Sequence, residues 1–80
     1  MNEIFVYSYA PIVNTPDERL QSLVNTFWNF TEIGQWISEY AISKRASIIK
    51  EEMSVLVLFY ATLTEEDNML YMIKFGKTYE

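Results

Sequence analysis

The sequence of 80 residues predicts an α+β fold, in which a mostly antiparallel sheet of three or four strands carries one main helix on one face. Three observations support this prediction: alternating apolar residues near the N-terminus, a helical spacing of apolar residues after Pro16, and the apolar segment SVLVLFYATL at residues 54–63. The expected order of elements is β-α-β-β-β or β-α-α-β-β, within one domain that spans residues 1–80.

The first strand is predicted at residues 4–13, where both faces carry apolar groups. Alternation sends two sets of side chains to opposite faces: Ile4, Val6, Ala10 and Ile12 to one, and Phe5, Tyr7, Tyr9 and Val13 to the other. The turn-forming segment Asn14-Thr15-Pro16 is expected to end the strand.

A helix is predicted to follow, because the start signals are strong. Thr15 can cap it, Pro16 suits its first position, and Glu18 completes a capping box. One apolar stripe follows the spacing of a helix and consists of Leu20, Leu23, Val24, Phe27 and Phe30. The helix is expected to end near residues 30–33, with Gly34 as the terminating residue.

The stretch QWISEYAIS at residues 35–43 fits two structures. As a strand it alternates Trp36, Ser38, Tyr40 and Ile42 against Ile37, Glu39 and Ala41, whereas as a helix it clusters Trp36, Ile37, Tyr40 and Ala41. The β-branched and aromatic content favours the strand. A helix is the alternative, and it would cover the second face of the sheet. Residues 44–52 are interpreted as a charged connection with a short strand at residues 47–50.

Two strands are predicted at residues 53–64 and 69–75, joined by the polar turn TEEDN at residues 64–68. In the first of them neither face is polar: Leu56, Leu58 and Tyr60 point one way, and Val55, Val57, Phe59 and Ala61 the other. A single helix of about 16 residues, roughly 24 Å long, covers one sheet face only. The second face is therefore expected to be open. Residues 76–80 are expected to be a frayed end.

Composition excludes several kinds of chemistry. The chain has no histidine and no cysteine, so an imidazole base, a thiolate zinc site and a disulfide are excluded. A net charge of −5 opposes binding to nucleic acid. No apolar run approaches the roughly 20 residues of a membrane span, and the first residues lack the basic leader of a signal peptide. We therefore expect no membrane partner and a cytoplasmic location.

No residue is assigned to catalysis, to a cofactor or to a metal. The candidate carboxylates lie in no recognisable motif and are Glu39, Glu51, Glu52, Glu65, Glu66 and Asp67. The last three can hold a hard cation, but adjacent acids at a turn are usually solvated. The one basic cluster consists of Lys44, Arg45 and Lys50. Together with an aromatic sheet face, it supports nucleic-acid binding as an alternative function.

The aromatic residues are more numerous than one helix can shelter, and tyrosine and tryptophan are enriched at protein interfaces. The candidate partner-binding residues are Tyr7, Tyr9, Trp36, Tyr40, Tyr60 and Tyr71, with Glu65, Glu66 and Asp67 of the acidic turn. The sequence therefore predicts a non-enzymatic module that binds another protein. A structural homodimer that buries sheet against sheet is a second alternative.

The chain also resembles a class of known proteins in its size, its acidity and the order of EIFVYSYAPIV, TPDERLQSLVNTF, SVLVLFYATL and MLYMIKF. It is similar to small proteins encoded by phages and other mobile elements, among them several anti-CRISPR proteins that pair one helix with a small antiparallel sheet. The resemblance implies a stoichiometric inhibitor that occupies a surface of a host or defence protein in the host-cell cytoplasm. It implies no functional residue.

Overall fold

The computed structural model describes residues 2–76 of the chain. Its elements are β1 (Asn2–Tyr9), α1 (Asp17–Phe30), α2 (Glu32–Tyr40), β2 (Ser43–Lys50), β3 (Val55–Leu63) and α3 (Glu65–Phe75). The predicted α+β class with an antiparallel sheet is confirmed, and a third helix follows the order β-α-α-β-β. Except for Gly76, the predicted frayed end lies outside the described residues.

The sheet has the order β1-β3-β2, and β3 is antiparallel to both of its neighbours. The alternation predicted for β3 is confirmed, since Val55, Val57, Phe59, Ala61 and Leu63 are all buried. We call the face that carries these five residues the inner face. The opposite face, which carries Leu56, Leu58 and Tyr60, is the outer face.

A β-bulge in β1 changes the faces that alternation predicts for the first strand. Phe5 pairs with Tyr60, but Tyr7 pairs with the preceding residue of β3, Phe59. The extra residue between them, Val6, shifts the register by one and turns the rest of the strand over. The prediction that Tyr7 shares a face with Phe5 is therefore wrong, and the same holds for Tyr9. The strand also ends at Tyr9, four residues before the predicted residue 13.

Helix α1 begins later than its start signals predict. Pro16 occupies the cap position and makes no side-chain cap bond. The predicted cap is wrong because the Thr15 hydroxyl donates instead to the carbonyl of Ile12 in the preceding turn. Two acidic residues in the first turn, Asp17 and Glu18, complement the positive end of the helix. The buried stripe of the helix is formed by Leu20, Val24 and Trp28.

Residues 32–40 form helix α2, so the strand predicted at residues 35–43 is wrong. Thr31 caps this helix, because its hydroxyl accepts the N–H of Gly34 at 2.9 Å. Gly34 does not end α1; it lies buried inside α2, against the last turn of α1. Ile37 has no exposed surface, and burying it against the core outweighs the strand propensity of the segment.

Two further predictions are corrected in the second half of the chain. The predicted connection at residues 44–52 is mostly the strand β2, which pairs with β3 from Ser43 to Lys50; the predicted short strand at residues 47–50 is confirmed as part of it. The predicted turn and strand at residues 64–75 form helix α3 instead. Thr64 caps α3 by accepting the N–H of Asp67 at 3.1 Å, and its first turn is acidic.

The core lies between the inner face and helices α1 and α2. Phe59 is at its centre, with its ring centroid 4.2 Å from that of Phe27 and 5.3 Å from that of Trp28. Helix α3 joins the same side of the sheet through Tyr71, which packs against this core. Within residues 2–76 no helix covers the outer face. Nor is any helix of that part of the chain long and apolar enough to cross a membrane.

Candidate protein-binding surface

The outer face combines an apolar centre with a polar margin. Its side chains come from all three strands: Glu3, Phe5 and Ser8 of β1, Leu56, Leu58, Tyr60 and Thr62 of β3, and Ser43, Arg45, Ser47 and Ile49 of β2. Three of the apolar residues are well exposed, Phe5 at 55%, Ile49 at 40% and Leu56 at 36%. Ile49 and Leu56 are cross-strand neighbours, so two adjacent apolar side chains remain in contact with solvent at one end of the face.

An ion pair crosses one end of this face. Arg45 on β2 reaches over β3 to both carboxylate oxygens of Glu3 on β1, with Nε at 2.7 Å and Nη2 at 3.2 Å. The guanidinium also lies 4.3 Å from the centre of the Tyr60 ring. Bidentate pairing and the cation–π contact hold the Arg45 side chain flat on the sheet. The ion pair separates the polar end of the outer face, which carries Thr62 and Ser43, from the part that carries Leu56, Leu58 and Ile49.

The same pair changes the titration of its members. The hydrogen bond from Arg45 is the main reason that the pKa of the Glu3 carboxyl lies below its ordinary value. That bond also raises the pKa of Arg45. Both side chains are about half exposed, so the pair contributes more to the order of this end of the face than to stability.

The size of the outer face limits what it can bind. Strands about 4.8 Å apart with a rise of about 3.3 Å per residue give a face of about 14 by 28 Å, or about 400 Å². Stable protein interfaces bury about 800 Å² on each partner. A partner held firmly here must therefore contact surface beyond the three strands.

The aromatic residues that the sequence predicts to bind a partner lie on different parts of the structure. Tyr60 alone lies on the outer face. Tyr7 stacks on Phe27 of α1 at 5.2 Å with nearly parallel rings, on the inner side. Tyr7 and Tyr9 line a small apolar groove beside α1, with a volume of about 150 Å³. Their rings extend the core and do not form a common surface with Tyr60.

The other predicted aromatic residues form a cluster between α2 and α3. The ring of Trp36 lies 4.7 Å from Tyr40, 6.0 Å from Tyr71 and 5.8 Å from Phe75. The cluster attaches α3 to α2, which gives these residues a packing role. The acidic residues Glu65, Glu66 and Asp67 lie in the first turn of α3 and not at a hairpin tip. No group of metal-ligating side chains occurs among the described residues.

The three basic residues do not form one surface. Lys44 and Lys50 lie on the inner face of the sheet, whereas Arg45 lies on the outer face. Lys44 donates to Ser38 and lies over the Trp28 ring, and Lys50 pairs with Asp17. Each cation has a partner within the fold, so this cluster gives no support to a phosphate-binding track.

Two features of the outer face were missed in choosing site residues from the sequence. The alternation of β3 already placed Leu56 and Leu58 on the face of Tyr60, so a signal for them existed. The pairing of Arg45 with Glu3 had no signal, because 42 positions separate them and only the common neighbour β3 brings them together.

Comparison with known proteins adds no relative. A scan against protein-family models finds no match, and neither the curated proteins nor the solved structures include one with significant similarity to this chain.

Proposed function

We propose that this protein is a non-enzymatic binding module that holds another protein against its outer face. One observation carries the proposal: the central strand presents Leu56, Leu58 and Tyr60 on a face that no described helix covers. Contiguous exposed apolar surface with a polar margin is typical of protein interaction sites. The more specific form, which follows the resemblance to phage-type inhibitors, is that binding blocks the partner.

The expected partner is a different protein and not a second copy of this chain. Two outer faces stacked on each other would bury roughly 800 Å² in total, whereas stable interfaces begin at about 1,200 Å². A different protein can add contacts along the strand edges and reach the required area. Its matching surface would have an apolar centre that fits beside Tyr60 and polar groups around it.

The test compares two double variants with matched substitutions. Ile49→Ser with Leu56→Ser removes two neighbouring apolar side chains from the outer face. Ile12→Ser with Leu70→Ser removes the same residue types from exposed positions elsewhere. Each tagged variant is used to capture partners from the cells in which the protein acts, and the captured protein is then purified and titrated. The first variant should bind the captured protein about tenfold or more weakly than the unchanged chain does, and the second variant should bind it with unchanged affinity. An equal loss of affinity in both variants would show that the outer face is not the binding surface.

Self-association is measured separately by light scattering over a concentration series. The expected result is the monomer mass of 9.5 kDa up to about 100 µM. If the unchanged chain is a dimer and the Ile49→Ser, Leu56→Ser variant is a monomer, the outer face binds a second copy. That result would overturn the proposal.

A further inference from the structure

A groove separates the free edge of β1 from helix α3. Residues 4–8 line one wall, and Asn68, Tyr71, Met72 and Phe75 line the other, with a volume of about 390 Å³. The four residues of α3 follow the spacing i, i+3, i+4, i+7, so one face of the helix forms that wall. The volume is within the roughly 300–1,000 Å³ of ordinary ligand sites.

The strand wall of the groove offers backbone hydrogen bonds. β1 is an edge strand and pairs only with β3 among the described strands. Every second residue of such a strand therefore directs its N–H and C=O away from the sheet. An extended peptide can pair with these groups as an additional strand, which is a recurrent mode of peptide recognition.

The helix wall offers apolar contacts and one unsatisfied polar atom. Met72, 56% exposed, and Phe75 can contact alternate side chains of an added strand. Oδ1 of Asn68 is buried and has no hydrogen-bond partner among the described residues. A buried acceptor without a donor is costly, and Asn68 is one of the residues that line the groove.

The charge around the groove selects the occupant. Leu63 pairs with Asn2, and α3 begins two residues after Leu63, so the first turn of α3 lies at the end of the sheet where β1 begins. That turn carries Glu65, Glu66 and Asp67, and none of them makes an ion pair within residues 2–76. This end of the groove therefore favours a basic residue.

We infer that the groove between β1 and α3 binds an extended peptide segment with alternating apolar side chains and a lysine or arginine at the end beside the first turn of α3. The peptide adds to β1 as a fourth strand. The groove accepts only a short strand, because the bulge at Val6 interrupts β1 and α3 closes one side. It is thus a peptide site and not an edge open to whole sheets.

This site goes beyond the proposed function. The groove shares Phe5 and Ser8 of β1 with the outer face, but Ile49 lies on the opposite edge of the sheet and does not line the groove. The Ile49→Ser variant should therefore bind peptides normally, whatever it does to the outer-face partner. Failure of the peptide site is therefore distinguishable from failure of the proposed binding at the outer face.

The experiment is selection from a phage-displayed library of random octapeptides against the full chain. Enriched peptides should carry apolar residues at alternate positions and a basic residue at one end. Replacing that residue by glutamate should weaken binding by about twofold to fivefold, the effect of an exposed ion pair. In NMR spectra of the labelled protein, the peptide should shift the backbone amides of residues 4–8 and 68–75.

Two neighbouring variants provide the control. Met72→Arg places a charged side chain in the groove, whereas Ile73→Arg makes the same charge change on a helix position that is 79% exposed and does not line it. Peptide affinity should fall about tenfold in the first and stay within about twofold in the second. Absence of enrichment, enriched peptides without alternation, or equal affinity for the two variants would overturn the inference.

Discussion

Replacing Gly34 by alanine should destabilise the protein, although the same change stabilises most helices. In an exposed helix interior, glycine to alanine gains about 1 kcal/mol. Here a Cβ atom would lie 2.0 Å from the carbonyl oxygen of Phe27 and 2.7 Å from Oγ1 of Thr31. The first contact is with backbone, so side-chain rotation cannot relieve it, and α2 must move away from α1 by about 1 Å.

The size of the loss follows from what that movement breaks. The cap bond from Gly34 N–H to Thr31 contributes about 1 kcal/mol, and overpacking of a close contact costs about 1 to 3 kcal/mol. A gap of this size also weakens the dispersion contacts around Ile37. After the gain in helix propensity is subtracted, we expect a net loss of about 1 to 3 kcal/mol in the free energy of unfolding.

Urea unfolding followed by the fluorescence of the two tryptophans, Trp28 and Trp36, measures this loss. For a chain of this size the slope is near 1 kcal/mol per M, so the midpoint should fall by about 1 to 3 M. The control is Glu39→Ala on the exposed side of α2, which should change stability by less than about 0.5 kcal/mol. An unchanged or raised midpoint for Gly34→Ala would show that the close approach of α1 and α2 is wrong.

Three further outcomes are expected. Thr64→Ala removes the α3 cap, so stability should fall by about 1 kcal/mol, with faster amide exchange in the first turn of α3; unchanged exchange there would contradict the cap. Ile37→Ala should cost about 2 to 5 kcal/mol in the urea assay, and a loss under about 1 kcal/mol would contradict its burial. The lowered pKa of Glu3 stabilises the fold above the unfolded-state value near 4.5, and this contribution is lost as the pH falls through the folded-state pKa. In the Arg45→Gln variant, the pKa of the Glu3 carboxyl should return to its ordinary value, which NMR titration of the carboxyl group measures.

The parts of the fold that the sequence predicted are those in which local pattern and tertiary packing agree. The alternation of SVLVLFYATL placed both faces of β3 correctly, because a central strand has neighbours on either side and packing on one face. The segment QWISEYAIS was predicted with the wrong structure because β propensity favoured a strand, whereas the burial of Ile37 in the core favoured a helix.

Helix α3 had a start signal that was interpreted as a turn. Thr64 followed by three acidic residues is a helix N-terminus by cap and by charge, and Tyr71 lies at a helical spacing from Asn68 and Phe75. The alternation of MLYMIKF outweighed these signals. The bulge at Val6 had no comparable signal, because only pairing with β3 defines which residue is extra.

The corrected positions of the tyrosines change the argument about the partner. With Tyr7 and Tyr9 beside Phe5 and Tyr60, the outer face would have been broadly aromatic, and a second copy would have buried it well. The bulge moves the first two onto α1, and Arg45 lies over the ring of Tyr60. What remains is an apolar strip of modest area with a fixed ion pair at one end. Such a strip is better suited to a different protein that also contacts the sheet edge than to the same strip on a second copy of this chain.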